Sequence, residues 1–544
     1  MRLVRCSWMT GILLSLAVSG CTRQPARPDA ARADRTVELQ ILAINDFHGN
    51  LEPPEDDLGG AAYLAAHLRR AESSAPHTII VSAGDLVGAS PLISSLFYDE
   101  PTVKAANLFG LDVNAAGNHE FDEGWRELLR MQRGGAREGG DEDFAGADFD
   151  ILSANVIVEA TGETLLPPYT IKRFDGIPVA FIGLPLQGTP TVVVASGVAG
   201  LAFKDEVATI NTLVHEIRQQ DVEAIVVVIH QGGYPAGGTE DDCRDFTGPI
   251  IDIVARTDPA VDLFVTGHTH RHYLCSLGGR PVTSAGSMGR YYTDIEARLD
   301  RASGDMTITG VDNVPVTHDI EPAADVAALV DEYRGRVEEI AQTVVGTVTA
   351  DVTEKPNERG GSQLGALIAD AQLAATQDEG ADVAFMNAGG IRTDLLYAAG
   401  DGENDGEVTF AEISATQPFG NTLMTITLTG AQLDTLLEQQ WAGQPSPDIL
   451  MPSKGFSYTW SRSAPEGEKV DPGSIRIEGE AVRAEGRYRV TVNNFLAAGG
   501  DGFPVLAEGT ERVESVLDVE ALEEYLREHS PIAPQPLERI RVVP

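Results

Sequence analysis

Cysteine, basic charge and long apolar runs are all scarce in this chain, and each scarcity excludes something. Four cysteines in 544 residues do not make a disulfide-stapled scaffold, and their spacing is not that of a zinc knuckle. Lys and Arg total 40 against 82 Asp and Glu, a formal net charge of −42. Such a surface repels a phosphate backbone, which excludes long nucleic acid as the ordinary partner. A small anion stays admissible, because bound cations dominate the local field of a site. The acidity itself reads as surface solvation. With 42% apolar and 22% charged residues, the composition is that of a globular protein, neither disordered nor multi-span. The one sustained apolar stretch, Trp8 to Val18, is too short to cross a bilayer. Arg2 and Arg5 precede it and small residues follow it, the layout of a secretory signal.

Val18-Ser19-Gly20-Cys21 resembles a bacterial lipobox, in which the cysteine becomes the lipidated first residue; an ordinary signal with an incidental cysteine is the alternative. Residues 1–21 are then a lipoprotein signal peptide and 22–36 a flexible tether. The mature chain is expected outside the cytoplasm, touching a membrane only through lipid on Cys21. Cys6 leaves with the signal, so Cys243 and Cys275 remain. In an oxidising compartment they either pair, stapling the loops after His230 and His270, or stay as two thiols.

A chain of this length exceeds one core and predicts two domains. From Val37 onward, apolar β-branched runs alternate with helical stretches, the pattern of an α/β or α+β layered unit. Strands are expected at Val37–Ile44, Thr78–Ser82, Ile151–Ala154, Val179–Gly183, Ala224–Ile229 and Leu263–Thr266, with a helix over Gly60–Glu72. The Gly- and acid-rich run Arg133–Asp148 reads as a surface loop. The first unit is assigned to 37–320. A linker helix over 321–343 carries Val326, Leu329, Val330, Tyr333 and Val337 at helical spacing. The second unit, 344–544, contains a helix at Leu364–Ala375 and strands at Val383–Met386, Leu423–Leu428 and Tyr488–Asn493.

The chemistry gathers where strands hand over to loops. ILAINDFHGN supplies Asp46 and His48, VSAGDLVGASP supplies Asp85, and NAAGNHEFDEG supplies Asn118 and His119. VVVIHQGG adds His230, and VTGHTH adds His268 and His270. Any one of these residues alone reads as a cap, a turn residue or a satisfied histidine. Five such motifs, each after an apolar run, would converge at the carboxyl edge of one sheet. Carboxylate and amide oxygens beside imidazole nitrogens suit a pair of divalent ions, with zinc, manganese, cobalt and iron all admissible. One carboxylate can bridge two cations, and such a pair lowers the pKa of water and polarises a phosphoryl oxygen.

In order and content these motifs resemble the calcineurin-like metallophosphoesterase superfamily, and specifically the bacterial 5′-nucleotidase/UDP-sugar hydrolase family. The resemblance runs from NDFHG to GGDGFP. It implies a four-layer β-sandwich metallophosphoesterase domain with helices outside, joined by a helical linker to a C-terminal α+β 5′-nucleotidase domain. It also implies one ion held by Asp46, His48, Asp85 and His270, and a second held by Asp85, Asn118, His230 and His268. Some members carry glutamine where His270 stands. His119, oriented by Asp122, is the implied group that stabilises phosphoryl charge and assists the leaving oxygen.

The second unit should carry specificity. NAGGIRTDL places Asn387 and Arg392 on a glycine-containing loop, and arginine suits fork-like recognition of phosphate. Phe419 in QPFGNTL and Phe495 in NNFLAAGGDGFP each read alone as core residues. The resemblance instead makes them stack on a nucleobase, with Asp501 at the ribose and Arg359 a further substrate contact. NERGGSQLG departs from relatives at Gly361, which bears on the contacts around Arg359. The implied activity is hydrolysis of nucleoside 5′-monophosphates. UDP-sugars, nucleoside di- and triphosphates and 2′,3′-cyclic nucleotides are further substrates the family admits. The competing readings are a hydrolase of another ester or sulfur compound, and a non-catalytic binding lipoprotein that kept only the fold.

Overall fold

A computed structural model of the chain describes residues 35–53, 57–137, 144–235, 243–400, 403–442 and 447–544. The signal, most of the tether and Cys21 lie outside these residues. No helix among the described residues is long and apolar enough to cross a membrane.

The N-terminal unit is built on two six-stranded sheets packed face to face. In spatial order the first runs Met306–Pro315, Tyr291–Asp300, Thr36–Ile44, Thr78–Ser82, Val113–Ala115, Asp150–Leu152. The second runs His272–Leu277, Arg280–Ala285, Leu263–Thr266, Ala224–His230, Ile177–Pro185, Tyr169–Phe174. Period-2 alternation divides each strand between two cores. From the first strand, Leu39, Ile41 and Ala43 enter the layer between the sheets and meet Val81, Val226, Val228 and Val265. Leu42 and Ile44 face the other way, onto the helices Ala61–Glu72 and Glu100–Phe109. Across the second sheet, Ile225, Val227 and Ile229 pack against the helix Glu206–Arg218. Helix, sheet, sheet and helix therefore stack as four layers, as the family resemblance implied. Each fully buried Val, Ile or Leu contributes about 1.5–3 kcal/mol. At Gly183 the sheets come so close that a Cβ would collide with Leu152.

The central strands are parallel, and their carboxyl ends are in register. Ile44 pairs with Ser82, Ser82 with Asn114, Pro185 with His230 and Ile229 with Thr266. Every loop that leaves these ends emerges along one edge, where open parallel sheets place their ligands. The expected disulfide is present: Cys243 and Cys275 are bonded, with Cα atoms 5.7 Å apart.

The helix Ala324–Ala341 falls in the segment expected as a linker, yet it is seated in the N-terminal core. Val326, Val330, Tyr333 and Val337 are buried there, spaced four, three and four residues apart. The chain crosses to the second unit only after this helix ends. That unit contains a five-stranded sheet ordered Met451–Pro452, Val383–Met386, Arg487–Asn493, Thr422–Thr429, Thr510–Leu517. The helices Gln363–Ala375, Gly430–Gln439 and Asp518–His529 close its core over Phe385, Ile426, Leu428, Val490 and Val492.

Candidate active site

The loops at the carboxyl edge turn sharply, and the turning residues are the predicted ligands themselves. Asp46, His48 and Asp85 have φ of 49°, His268 has 72° and His270 has 54°. Left-handed backbone is uncommon outside glycine, and it clusters at functional sites where the surroundings hold the strain. The holding contacts are visible. Asp46 N donates to Gly84 O and His48 N to Asp85 O, both at 3.0 Å, so the first two loops keep pairing beyond their strands. Gly117 lies so close behind Asp85 that a Cβ there would collide with the carboxylate.

These turns bring seven side chains into one cluster. His230 Nε2 lies 2.9 Å from Asp85 Oδ2, and His48 Nε2 lies 3.8 Å from the same oxygen. On one side, His270 Nε2 approaches His48 Nε2 to 3.1 Å and Asp46 Oδ1 to 3.4 Å. On the other, His268 Nδ1 lies 3.0 Å from Asn118 Oδ1. The structure thus places Asp46, His48 and His270 together, and Asp85, His230 and His268 together. Asp85 stands within reach of both sets.

The donor set fits divalent cations on its own chemistry. His48 Nδ1 is 2.9 Å from Gly88 O and His230 Nδ1 is 2.7 Å from Ala83 O. A carbonyl only accepts, so each Nδ1 carries a proton and each Nε2 faces the cluster. Burial opposes charge on His230, but Asp85, 2.9 Å from its Nε2, lifts its pKa to about 10, so that Nε2 holds a proton which a cation would displace. Burial lowers His48 well below the ordinary histidine range. Burial and His230 take His268 down to about 3, and burial and Arg392 take His270 down to about 4. Neutral imidazoles facing one another and two buried carboxylates form a site for cations.

His119 stands at the edge of the same cluster, grouped with His48 and Asp85, and differs from the other histidines in having a carboxylate partner of its own. Its Nδ1 lies 2.7 Å from Asp122 Oδ2, while its Nε2 is 4.0 Å from Asp85 Oδ2. Burial opposes protonation of this imidazole, but the carboxylates of Asp122 and Asp85 lift its pKa above the ordinary value. A protonated His119 therefore presents an Nε2–H toward the cleft.

Sequence reasoning missed Glu120. Its carboxylate, 3% exposed, accepts from Asp85 N and Leu86 N at 3.0 Å, Gly117 N at 2.5 Å and Asn114 Nδ2 at 3.1 Å. One side chain thus ties the loop bearing Asp85 to the loop bearing Asn118. Asn45 was missed too: it donates to Asp46 Oδ2 and to Gly286 O, each at 2.6 Å.

The second unit completes the cleft. Asn387, Arg392, Phe419, Phe495 and Asp501 line one cavity of about 190 Å³ together with Asn118, His119 and Asp122. Asn387 Nδ2 donates to Asp501 Oδ2 at 2.7 Å, and Asn493 Nδ2 donates to Asn387 Oδ1 at 3.1 Å. The Phe419 ring lies on the His119 ring, centroids 5.6 Å apart at 20°, and the Arg392 guanidinium lies 5.7 Å from the Phe419 centroid. Gly500 backs the other aromatic, since a Cβ there would collide with the Phe495 ring. Val192 to Val194, Asn421 and Asn493 also line the cavity and were not anticipated. Arg359 is not brought to it. That residue is exposed beyond the turn at Asn357, with Nη1 3.4 Å from Leu537 O.

Comparison with known proteins places this geometry. Residues 39–272 match the calcineurin-like phosphoesterase family, and residues 344–508 match the 5′-nucleotidase C-terminal domain. The chain is 32% identical over 558 residues to the cell wall protein Lmo0130 of Listeria monocytogenes, which covers 95% of this chain and 71% of that protein. The chain belongs to the 5′-nucleotidase family. This is a family of phosphoester hydrolases, and its two-domain plan is the one seen here. The chain is also 32% identical over 505 residues to the endonuclease YhcR of Bacillus subtilis; the match covers 90% of this chain but only 40% of that longer protein. The 5′-nucleotidase of Vibrio parahaemolyticus is 27% identical over 582 residues, with 97% and 95% of the two chains covered. Among solved structures, the 5′-nucleotidase precursor of Thermus thermophilus superposes with a TM-score of 0.75 at 25% identity, over 93% of this chain and 99% of that one.

Proposed function

We propose that the chain is an extracytoplasmic nucleotidase that hydrolyses nucleoside 5′-monophosphates to nucleoside and phosphate with the help of two divalent cations. One observation carries the reading: a single cavity joins the imidazole–carboxylate cluster to two phenylalanine rings, an arginine and a half-buried carboxylate. A base stacks on Phe419 and Phe495, a ribose hydroxyl donates to Asp501, and the phosphate lies between Arg392 and the cluster.

Asp46, His48, Asp85 and His270 would hold one cation, and Asp85, Asn118, His230 and His268 the other. Bound there, the cations would supply Lewis acidity, polarising the phosphoryl oxygens and making water a better nucleophile at neutral pH. The chain's own groups do the rest. Arg392 neutralises the outer phosphoryl oxygens, and Glu120 holds the Asp85 and Asn118 loops in position. His119, oriented by Asp122, donates from Nε2 to the departing 5′-oxygen. Asn387 fixes the Asp501 carboxylate toward the ribose.

The Cys243–Cys275 bond, the signal-like N-terminus with its lipobox, and the likeness to a protein named for the cell wall support export and anchoring through Cys21. Phosphate release from AMP, ADP, ATP, UDP-glucose, NAD and 2′,3′-cyclic AMP, with and without chelator, tests the substrate reading. Metal-dependent release from AMP is expected. Release from none of the six by metal-loaded protein would sink it.

A further inference from the structure

Asp99 stands where a helix begins and does not cap it. It directly precedes the helix Glu100–Phe109, the place where an aspartate ordinarily accepts from the first free N–H groups of the helix. Here its carboxylate makes no such bond. The backbone at Asp99 is left-handed, with φ of 59°, and so is that of Tyr98, with φ of 54°. Two consecutive left-handed residues that are not glycine mark a turn held against its own preference. At 7% exposed, Asp99 is also buried, so neither water nor its own helix is what its side chain serves.

What it reaches is the loop after Asp85. Asp99 Oδ2 accepts from Gly88 N at 3.0 Å, and Gly88 O lies 2.9 Å from His48 Nδ1 and accepts from it. One residue, Gly88, thus joins the carboxylate to the imidazole. The other oxygen of Asp99 lies against the loop bearing His48, since a Cβ on Gly49 would come within 3.0 Å of it. Gly88 is confined on a further side. A Cβ there would meet His119 Cβ at 2.7 Å and Asp122 Oδ2 at 2.9 Å. With those two residues packed on its Cα and Asp99 holding its N–H, the direction in which Gly88 O points is set.

We infer that Asp99 is a positioning residue for His48, acting through Gly88, and that it strengthens one of the two cation positions selectively. The inference rests on the two-cation part of the proposed function. A carbonyl aimed at Nδ1 fixes the tautomer and rotation of the ring, so Nε2 stays turned to the cluster, and groups that hold ligands in this way raise metal affinity. His48 belongs with Asp46, Asp85 and His270. The histidines of the other set are held elsewhere, His230 Nδ1 by Ala83 O and His268 Nδ1 beside Asn118 Oδ1. Capping or packing would support the whole domain, whereas a hold on one ligand should be felt at one ion.

Two changes at this position test it. Asp99→Gly removes the acceptor, and glycine takes left-handed backbone without strain. Asp99→Asn keeps an oxygen for Gly88 N and tolerates the same backbone. Manganese binding to the full chain is followed by chelator competition, with elemental analysis at fixed free manganese. Wild type should hold two ions. In Asp99→Gly one ion should bind roughly tenfold or more weakly while the other stays within about twofold, and Asp99→Asn should restore both. Half-maximal turnover on AMP should need manganese raised by the same factor, with KM for AMP at saturating manganese unchanged. Asp99→Ala takes the place of Asp99→Gly should that variant not fold; failure of both to fold would make Asp99 a folding residue and overturn the inference. Equal weakening of both ions, unchanged affinity for both, or a loss in Asp99→Asn as deep as in Asp99→Gly would also overturn it, with the two-cation reading intact. A wild type that binds fewer than two ions overturns the two-cation reading, and the inference falls with it.

Discussion

Glu120 touches no proposed metal position, yet its removal should be felt at the metals. Its carboxylate accepts from three backbone N–H groups and the Asn114 amide. In Glu120→Ala those four donors lose their partner in a space with little room for water. One buried donor left unsatisfied costs about 1–3 kcal/mol. The four share one acceptor and partly relax together, so a total of about 3–5 kcal/mol is the working figure, similar to breaking a buried charged network. In a domain of this size that corresponds to a fall in Tm on the order of 5–10 °C. The second consequence is specific to the site. With the Asp85 and Asn118 loops untied, affinity for a divalent ion should drop roughly 10–100-fold, as when groups supporting metal ligands are lost. Glu120→Gln keeps the shape and one carbonyl acceptor but turns an amide toward N–H donors, so an intermediate loss is expected. Thermal melts with and without manganese, and chelator competition for the bound ion, measure the two effects separately. A Glu120→Ala protein that melts within 2 °C of wild type (well below the ~5 °C shift expected) and holds manganese as tightly would refute the reasoning.

Three further outcomes follow from the geometry. His119→Ala should lower turnover on AMP about 10²–10⁴-fold while metal content, read by elemental analysis, stays at the wild-type level. In chelated protein, neutral His48, His268 and His270 favour the folded state increasingly up to about pH 6.5, the point where the unfolded histidines have lost their protons. Asp46 and Glu120, both pushed by burial up to about 7, and His230, lifted by Asp85 to about 10 against the pull of burial, act the other way. Above pH 6.5 only these losses remain, so melts from pH 6.5 to 8 should show falling stability with chelator and little change with manganese. Reduction of Cys243–Cys275, which are 32 residues apart, removes about 3–4 kcal/mol by chain entropy; melts with and without reductant, against Cys275→Ser, check it.

Most of the parallel strands were legible because they are buried on both faces and read as unbroken β-branched runs; the three-residue Val113–Ala115 was not read as one. Thr78–Ser82 and Leu263–Thr266 were anticipated to the residue, and Ala224–His230 ended one residue beyond expectation. Because those runs point to one edge, the ligands that follow them were legible too. Tyr291–Asp300 and Met306–Pro315 were not read as strands. Their outer residues alternate with exposed polar positions, and part of their pairing face is supplied by partners distant in sequence. Glu120 escaped notice because an acid in a short polar stretch ordinarily faces water, and two of its four donors come from a segment more than thirty residues away. Arg359 was a further substrate contact only by the resemblance, and the structure holds it exposed, away from the cavity. Where the turn at Asn357 sends it is a property of the backbone that residue type does not carry.

The helix Ala324–Ala341 has a practical consequence for anyone dividing the molecule. By sequence alone the natural cut is near residue 320, which would send the helix away with the second half. Such a truncated first half would leave a furrow over Ala61–Glu72 and Glu100–Phe109 where Val326, Val330, Tyr333 and Val337 had been, an open greasy surface prone to self-association. The severed second half would carry the matching stripe into water. A boundary at residues 342–343 keeps both pieces covered, and fragments made there are the ones expected to stay in solution.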